Sequence, residues 1–169
     1  MWVRTTQLLF IAMVGSAIAV FAAQSAPSKS SPGSDEDRML LGTWKLNVGK
    51  SKYRIGTPPK SQTRVYEPHE QGVKATIKTV YADGRSTTIE YTANYDALEY
   101  PVTGTQDVDT IALKKVASRT AEAVLSHAGK VMATARRVIS EDGSTLTIEY
   151  QGELLGQRVD YTAVYDKQQ

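Results

Sequence analysis

Apolar residues recur at every second position in run after run of this chain, and the gaps between runs are too short to hold a crossover helix. A period of two with tight connections leaves sequential antiparallel pairing as the simplest path the chain can take. Trp44, Leu46 and Val48 share one face of the first run, and further runs follow at 63–67, 73–81, 86–95, 110–116, 120–126, 131–139, 144–153 and 158–165. Residues 99–103 offer a short extra strand, limited by Pro101. Asp83-Gly84 and Asp142-Gly143 are type I′ turn signals, and Gly72, Gly129 and Gly156 mark other reversals. The expected fold is all-β: an antiparallel up-and-down meander of about 8–10 strands closed into a barrel.

The N-terminus reads as an export signal. Arg4 supplies a positive start, 8–20 an apolar stretch of 13 residues, and Ala19, Ala22 and Ala23 the small residues that follow. A bilayer span needs roughly 18 or more apolar residues, so residues 1–22 are read as a cleaved signal peptide and not as an anchor. Residues 23–38 read as a disordered linker, since 24–38 hold five Ser, two Pro and one Gly. The domain proper is expected over 39–169. Ser34, three residues before Asp37 and ahead of Met39-Leu40-Leu41, fits the start of a single helical turn that would plug one barrel end. Export to the periplasm or the medium is the expected address.

Charge narrows the partners. The whole chain carries +2, and loss of Arg4 with the signal leaves nineteen basic against eighteen acidic residues. That balance gives no reason to expect nucleic acid or an anionic membrane surface as partner. No stable membrane insertion is expected after signal cleavage, and the domain is expected to be monomeric or weakly associating. There is no cysteine, so the core and the strand ladders must hold the exported domain without disulfides.

One internal repeat stands out. Residues 83–91 match 142–150 at six of nine positions, and 91–96 resemble 161–166. Two readings stay open: a duplicated hairpin lining one cavity, or convergence of sequences drawn from Thr, Ile, Tyr and Val. Ile89, Tyr91, Ala93 and Tyr95 share one face of their run, as do Val159, Tyr161, Ala163 and Tyr165 of theirs. With those faces inward, Ala75, Ala93, Ala133, Ala135 and Ala163 leave room for a ligand. The competing reading is that nine tyrosines fill the interior. Arg136 and Arg137 are adjacent and so point to opposite faces; one is a candidate inward charge, which needs a carboxylate or an anionic ligand. Exposure at the rim is the plainer reading of that pair.

Gly42-Thr43-Trp44, on the first strand after a short turn, stands in the G-x-W position of the lipocalin-like and fatty-acid-binding-like calycin barrels, which the chain resembles over roughly residues 39–167. The resemblance implies that Trp44 closes the barrel floor against a basic residue of the last strands, with Arg158 the first positional match and Lys167 the second. It also implies that the loop after the first strand, 49–61, is a lid. That loop carries Lys50, Lys52, Arg54 and Lys60 with no acid, and would favour an anionic head group. The expected function is to bind a small hydrophobic molecule, fatty-acid-like or another apolar carboxylate, at Trp44, Tyr53, Tyr91, Ala93, Tyr95, Arg137, Tyr161 and Tyr165. The alternative is a filled barrel or β-sandwich serving as an envelope-associated interaction module.

Other chemistry finds little support. His69 and His127 both fall at turns, too few for zinc without cysteine, and His127 is a poor candidate for an axial haem ligand. Asp107 and Asp109 are spaced like two calcium ligands but lack further donors and read as turn residues. No G-x-S-x-G elbow or P-loop occurs, and Glu90 and Glu149 read as equivalent exposed positions of the repeat. No cofactor, metal or catalytic residue is expected.

Overall fold

The computed structural model describes residues 35–154 and 156–169. The expected signal peptide, most of the linker and Ser34 lie outside them. A short helix α1 (Asp35–Leu40) leads into eleven strands: β1 (Gly42–Leu46), β2 (Lys52–Ile55), β3 (Ser61–His69), β4 (Gly72–Val80), β5 (Ser86–Asn94), β6 (Asp96–Thr103), β7 (Thr110–Ala117), β8 (Thr120–His127), β9 (Lys130–Ile139), β10 (Thr145–Leu154) and β11 (Gln157–Lys167). The last residues of the segment read as linker are thus helical.

Ten strands, β1 and β3 to β11, form an antiparallel meander in chain order, and pairing of β1 with β11 closes the barrel. The cause is visible residue by residue: β4 alternates buried Val73, Ala75 and Ile77 with exposed Lys74 and Lys78, and β10 alternates buried Leu146, Ile148 and Tyr150 with exposed Glu149 and Gln151. Antiparallel pairing puts α1 and the reversals after β3, β5, β7 and β9 at one end, the floor. The segments 56–60, 81–85, 104–109 and 128–129 lie at the other, the mouth.

α1 plugs the floor as the sequence suggests. Leu40 is buried, and its carbonyl accepts a hydrogen bond of 2.7 Å from Trp44 Nε1. Lys167 Nζ donates to the Met39 carbonyl at 2.6 Å and stands 5.1 Å from the centroid of the Trp44 ring. The basic partner of Trp44 is therefore Lys167 and not Arg158. Register decides this, because Trp44 pairs directly with Lys167, while Arg158 is exposed nine residues back along β11, about 30 Å away at ~3.3 Å per residue.

The 49–61 segment is not one loop. A 3₁₀ turn at Val48–Lys50 redirects the chain, and β2 then pairs with β11 beyond the stretch that β1 occupies. β2 pairs only with β11, so no ladder joins it to β3 at the mouth. β6 is longer than expected, and Pro101 explains its behaviour. The β5–β6 ladder ends at Val102, next to the residue that lacks an N–H, while β6 runs on against β7 through Pro101, Tyr100 and Glu99.

The turns also differ from expectation in type. Asp83 and Asp142 keep negative φ, so neither Asp-Gly pair is type I′. Instead Gly84 N–H bonds the Tyr81 carbonyl and Gly143 N–H the Ser140 carbonyl, each at 3.0 Å, with the glycine itself left-handed at φ 86° and 68°. Among the described residues, the pair with both members at positive φ, as type I′ requires, is Ala128-Gly129 in the two-residue β8–β9 hairpin. The repeat thus encodes one turn twice. Its copies lie at opposite barrel ends, however, since β5 starts at the mouth and β10 at the floor.

Candidate functional site

The mouth half of the barrel is hollow, with a cavity of about 360 Å³, inside the ~300–1,000 Å³ range of small-molecule sites. Its two sides differ. Ile77, Ile89, Val102, Ile111, Leu113 and Leu125 give an aliphatic wall, and Tyr53, Tyr150, Tyr161 and Tyr165 give an aromatic one. The aromatic wall follows from cross-strand register. Tyr161 on β11 lies opposite Tyr53 of β2 on one side and Tyr150 of β10 on the other, and the rings stack at centroid distances of 5.0 and 4.9 Å.

Two arginines enter this cavity. Arg64 on β3 is 5% exposed; its Nη2 donates to Tyr150 Oη at 2.8 Å, Nη1 to Tyr66 Oη at 3.3 Å and Nε to Gln62 Oε1 at 3.2 Å. Gln62 is fixed in turn by Tyr165 Oη, which donates to the same Oε1, and by Thr79 Oγ1, which accepts from Nε2 at 2.8 Å. Arg137 on β9 donates to Tyr95 Oη. Each guanidinium also faces rings: Arg64 lies 5.1 Å from the Tyr165 centroid, and Arg137 5.4 Å from that of Tyr66.

No carboxylate of the described residues pairs with either arginine. Asp107 lies at the mouth bonded to Thr105, and Glu122 pairs outside the barrel with Arg136 at 2.8 Å. Burial opposes the charge on Arg64 and Arg137, but the surrounding tyrosine oxygens outweigh it and hold both firmly protonated. Burial raises Tyr91, Tyr161 and Tyr165 above the ordinary phenol value. Tyr66 goes the other way, because Arg64 and Arg137 together overcome the effect of its burial and lower it.

Of the residues expected to bind ligand, Tyr53, Tyr91, Arg137, Tyr161 and Tyr165 line the cavity. Trp44 and Ala93 do not: both are fully buried in the packed floor half. Tyr95 also stands outside the cavity lining, in a small crevice at the floor, and acts on the site through its hydrogen bond to Arg137. Of the alanines expected to leave room, only Ala135 borders the cavity; Ala75, Ala93, Ala133 and Ala163 are packed.

The expected cationic lid takes another form. Lys50 pairs with Asp166 at 2.8 Å and Arg54 pairs with Asp160, both on the outer surface, and only Tyr53, Gly56, Thr57 and Pro59 of that segment reach the cavity. The positive charge belongs inside, on Arg137 and on Arg64, which sequence reasoning missed. Its signal was present, for Arg64 shares a face with Tyr66 in a chain whose tyrosine faces turn inward. Tyr150 and Tyr66 were missed as well. Of the repeat, Ile89 and Tyr91 meet Ile148 and Tyr150 around one cavity, while Glu90 and Glu149 are exposed on well-separated strands. His127 is at the surface, 3.8 Å from Asp109, and no cluster of metal-ligating side chains occurs among the described residues.

No protein-family model matches the chain, and no curated protein matches it in sequence. Among solved structures it is similar to Rv2717c from M. tuberculosis, at 16% identity over 78% of this chain and 94% of that one with a TM-score of 0.49. It is also similar to a de novo designed fluorescence-activating β-barrel, at 11% identity over 80% and 100% with a TM-score of 0.44. A third is the redesigned barrel mFAP1, bound to DFHBI, at 12% identity over 79% and 100% with a TM-score of 0.41. These likenesses are too distant to bear on function, and the barrel is established by the strand pairing of the chain itself.

Proposed function

We propose that this protein is an exported, lipocalin-like barrel that binds a small amphipathic acid, with its apolar tail in the mouth half and its carboxylate against Arg64 and Arg137. The carrying observation is a pair of inward guanidiniums that border an apolar cavity and have tyrosine and amide oxygens, but no carboxylate, as partners. An unpaired charge inside a barrel costs several kcal/mol unless something compensates it, and an anionic ligand does so. The open volume favours this reading over a filled interaction module. Binding, and not turnover, is the proposed activity.

The test compares decanoate with decanol, equal in chain length and different in charge, by displacement of an environment-sensitive dye. Charge-assisted hydrogen bonds contribute about 1.5–3 kcal/mol, so decanoate is expected to bind about 10- to 100-fold more tightly. Arg64→Met is expected to remove most of that preference. Equal binding of acid and alcohol, or a preference unchanged in the variant, overturns the proposal.

A further inference from the structure

Within that reading, Tyr66 has a part that tail and head-group recognition do not use. Tyr66 is 2% exposed, its hydroxyl accepts from Arg64 Nη1 of β3 at 3.3 Å, and the Arg137 guanidinium of β9 lies 5.4 Å from its ring centroid. The other titratable groups of the described residues acting on this cluster are Tyr53 of β2, Tyr91 of β5, Tyr95 beside Arg137, Tyr150 of β10, and Tyr161 and Tyr165 of β11. All are phenols. The strands directly flanking Tyr66 place Gly42 and Ala75 opposite it. Among the described residues, phenols are therefore the sole partners of these two positive charges that can supply a compensating anion.

We infer that the ligand-free barrel carries its own anion, the Tyr66 phenolate between Arg64 and Arg137, and that a carboxylic acid entering the site exchanges with it by proton transfer. The acid gives its proton to Tyr66 Oη: the carboxyl O–H bond breaks as the phenol O–H bond forms, and no electrons change hands between redox partners. The new carboxylate then takes guanidinium donors that the phenolate held. Seen from bulk water, one anion and one proton enter together. The direction in which the two arginines move Tyr66, against burial, supports the assignment. A permanently charged head group has no proton to give and must draw one from water, so weak acids are the ligand class that the exchange suits.

This inference rests on the proposed carboxylate site, and its test separates the two. The near-ultraviolet tyrosinate band of the ligand-free protein is followed from pH ~6 to ~10, the ordinary tyrosine value being about 10. One tyrosine is expected to ionise ahead of the rest, in a step absent from Tyr66→Phe and moved to higher pH in Arg137→Gln, which keeps the phenol. Added decanoate is expected to erase the early band and draw about one proton per ligand from an unbuffered solution; decanol should do neither. A wild-type titration that superimposes on Tyr66→Phe overturns the inference, as does decanoate binding without loss of the band or uptake of a proton. An early band with no decanoate binding overturns the carboxylate reading while the resident phenolate stands.

Discussion

Replacing Trp44 by phenylalanine isolates what the indole nitrogen does for the floor. Phenylalanine keeps an aromatic ring in the fully buried site but removes the donor that the Leu40 carbonyl receives at 2.7 Å. That carbonyl belongs to the last residue of α1, and Leu40 is 2% exposed, so water cannot replace the lost donor without opening the floor. An unmet buried acceptor costs about 1–3 kcal/mol, and weakening the contact with Lys167 adds roughly 0.5 kcal/mol. The expected loss is about 2–3 kcal/mol, which at a typical urea dependence of about 1–3 kcal/mol per molar shifts the unfolding midpoint down by roughly 1–2 M. Far-ultraviolet circular dichroism during urea unfolding reads it. Trp44→Ala loses the ring as well and should cost about 3–5 kcal/mol or more. In a double-mutant cycle, Lys167→Met should show coupling with Trp44→Phe, since both residues hold the same turn of α1 through adjacent carbonyls. A Trp44→Phe midpoint within a few tenths of a molar of wild type refutes the assignment of the indole N–H as the floor's anchor.

Arg64→Met in the ligand-free protein should lower the melting temperature, because it removes the donor to Tyr66 Oη, Tyr150 Oη and Gln62 Oε1, and those bonds outweigh the burial of the guanidinium; calorimetry checks it, and an unchanged or higher melting temperature would show that burial outweighs the bonds. Ala135→Leu adds side-chain volume at a cavity wall and should weaken decanoate binding at least tenfold while preserving the fold, as titration calorimetry beside circular dichroism would report. Asp142 closes the β9–β10 turn by accepting from Ser140 Oγ and from the Ser144 hydroxyl and N–H, which bring its carboxyl down to about 2. A depressed folded value means a contribution that is full above the unfolded value near 3.9 and is lost as pH falls through about 2. The wild type should therefore lead Asp142→Asn in thermal stability at pH 5, with the gap closing as pH falls from about 4 to about 2.

How much was legible depended on the reach of each signal. The meander was readable because alternation and tight turns repeat across nearly the whole chain, so local errors average out. β2 was hidden: four residues are too few to show a period, two of them are Lys52 and Arg54, and the stretch ends at Gly56. Its strand state comes from pairing with β11, a contact made across more than a hundred residues. The choice of Lys167 over Arg158 is likewise a matter of register, which alternation cannot specify beyond odd or even. Arg64 was written on the inward face beside Tyr66, yet a lone arginine between Thr63 and Val65 reads as an exposed side chain until closure of the barrel turns that face inward. The two arginines come together only because β3 and β9 face each other across the interior.

The barrel closes through β1, which pairs with β3 on one side and β11 on the other, whereas β2 holds to β11 alone. Hydrogen-bonded closure is thus confined to the floor half, and the mouth half is a sheet with two free edges that meet along a slit between β2 and the start of β3. Widening that slit breaks no rung of any ladder. Such widening leaves the Trp44 floor and the ten-strand circuit intact, so loosening of the mouth and unfolding draw on different parts of the molecule.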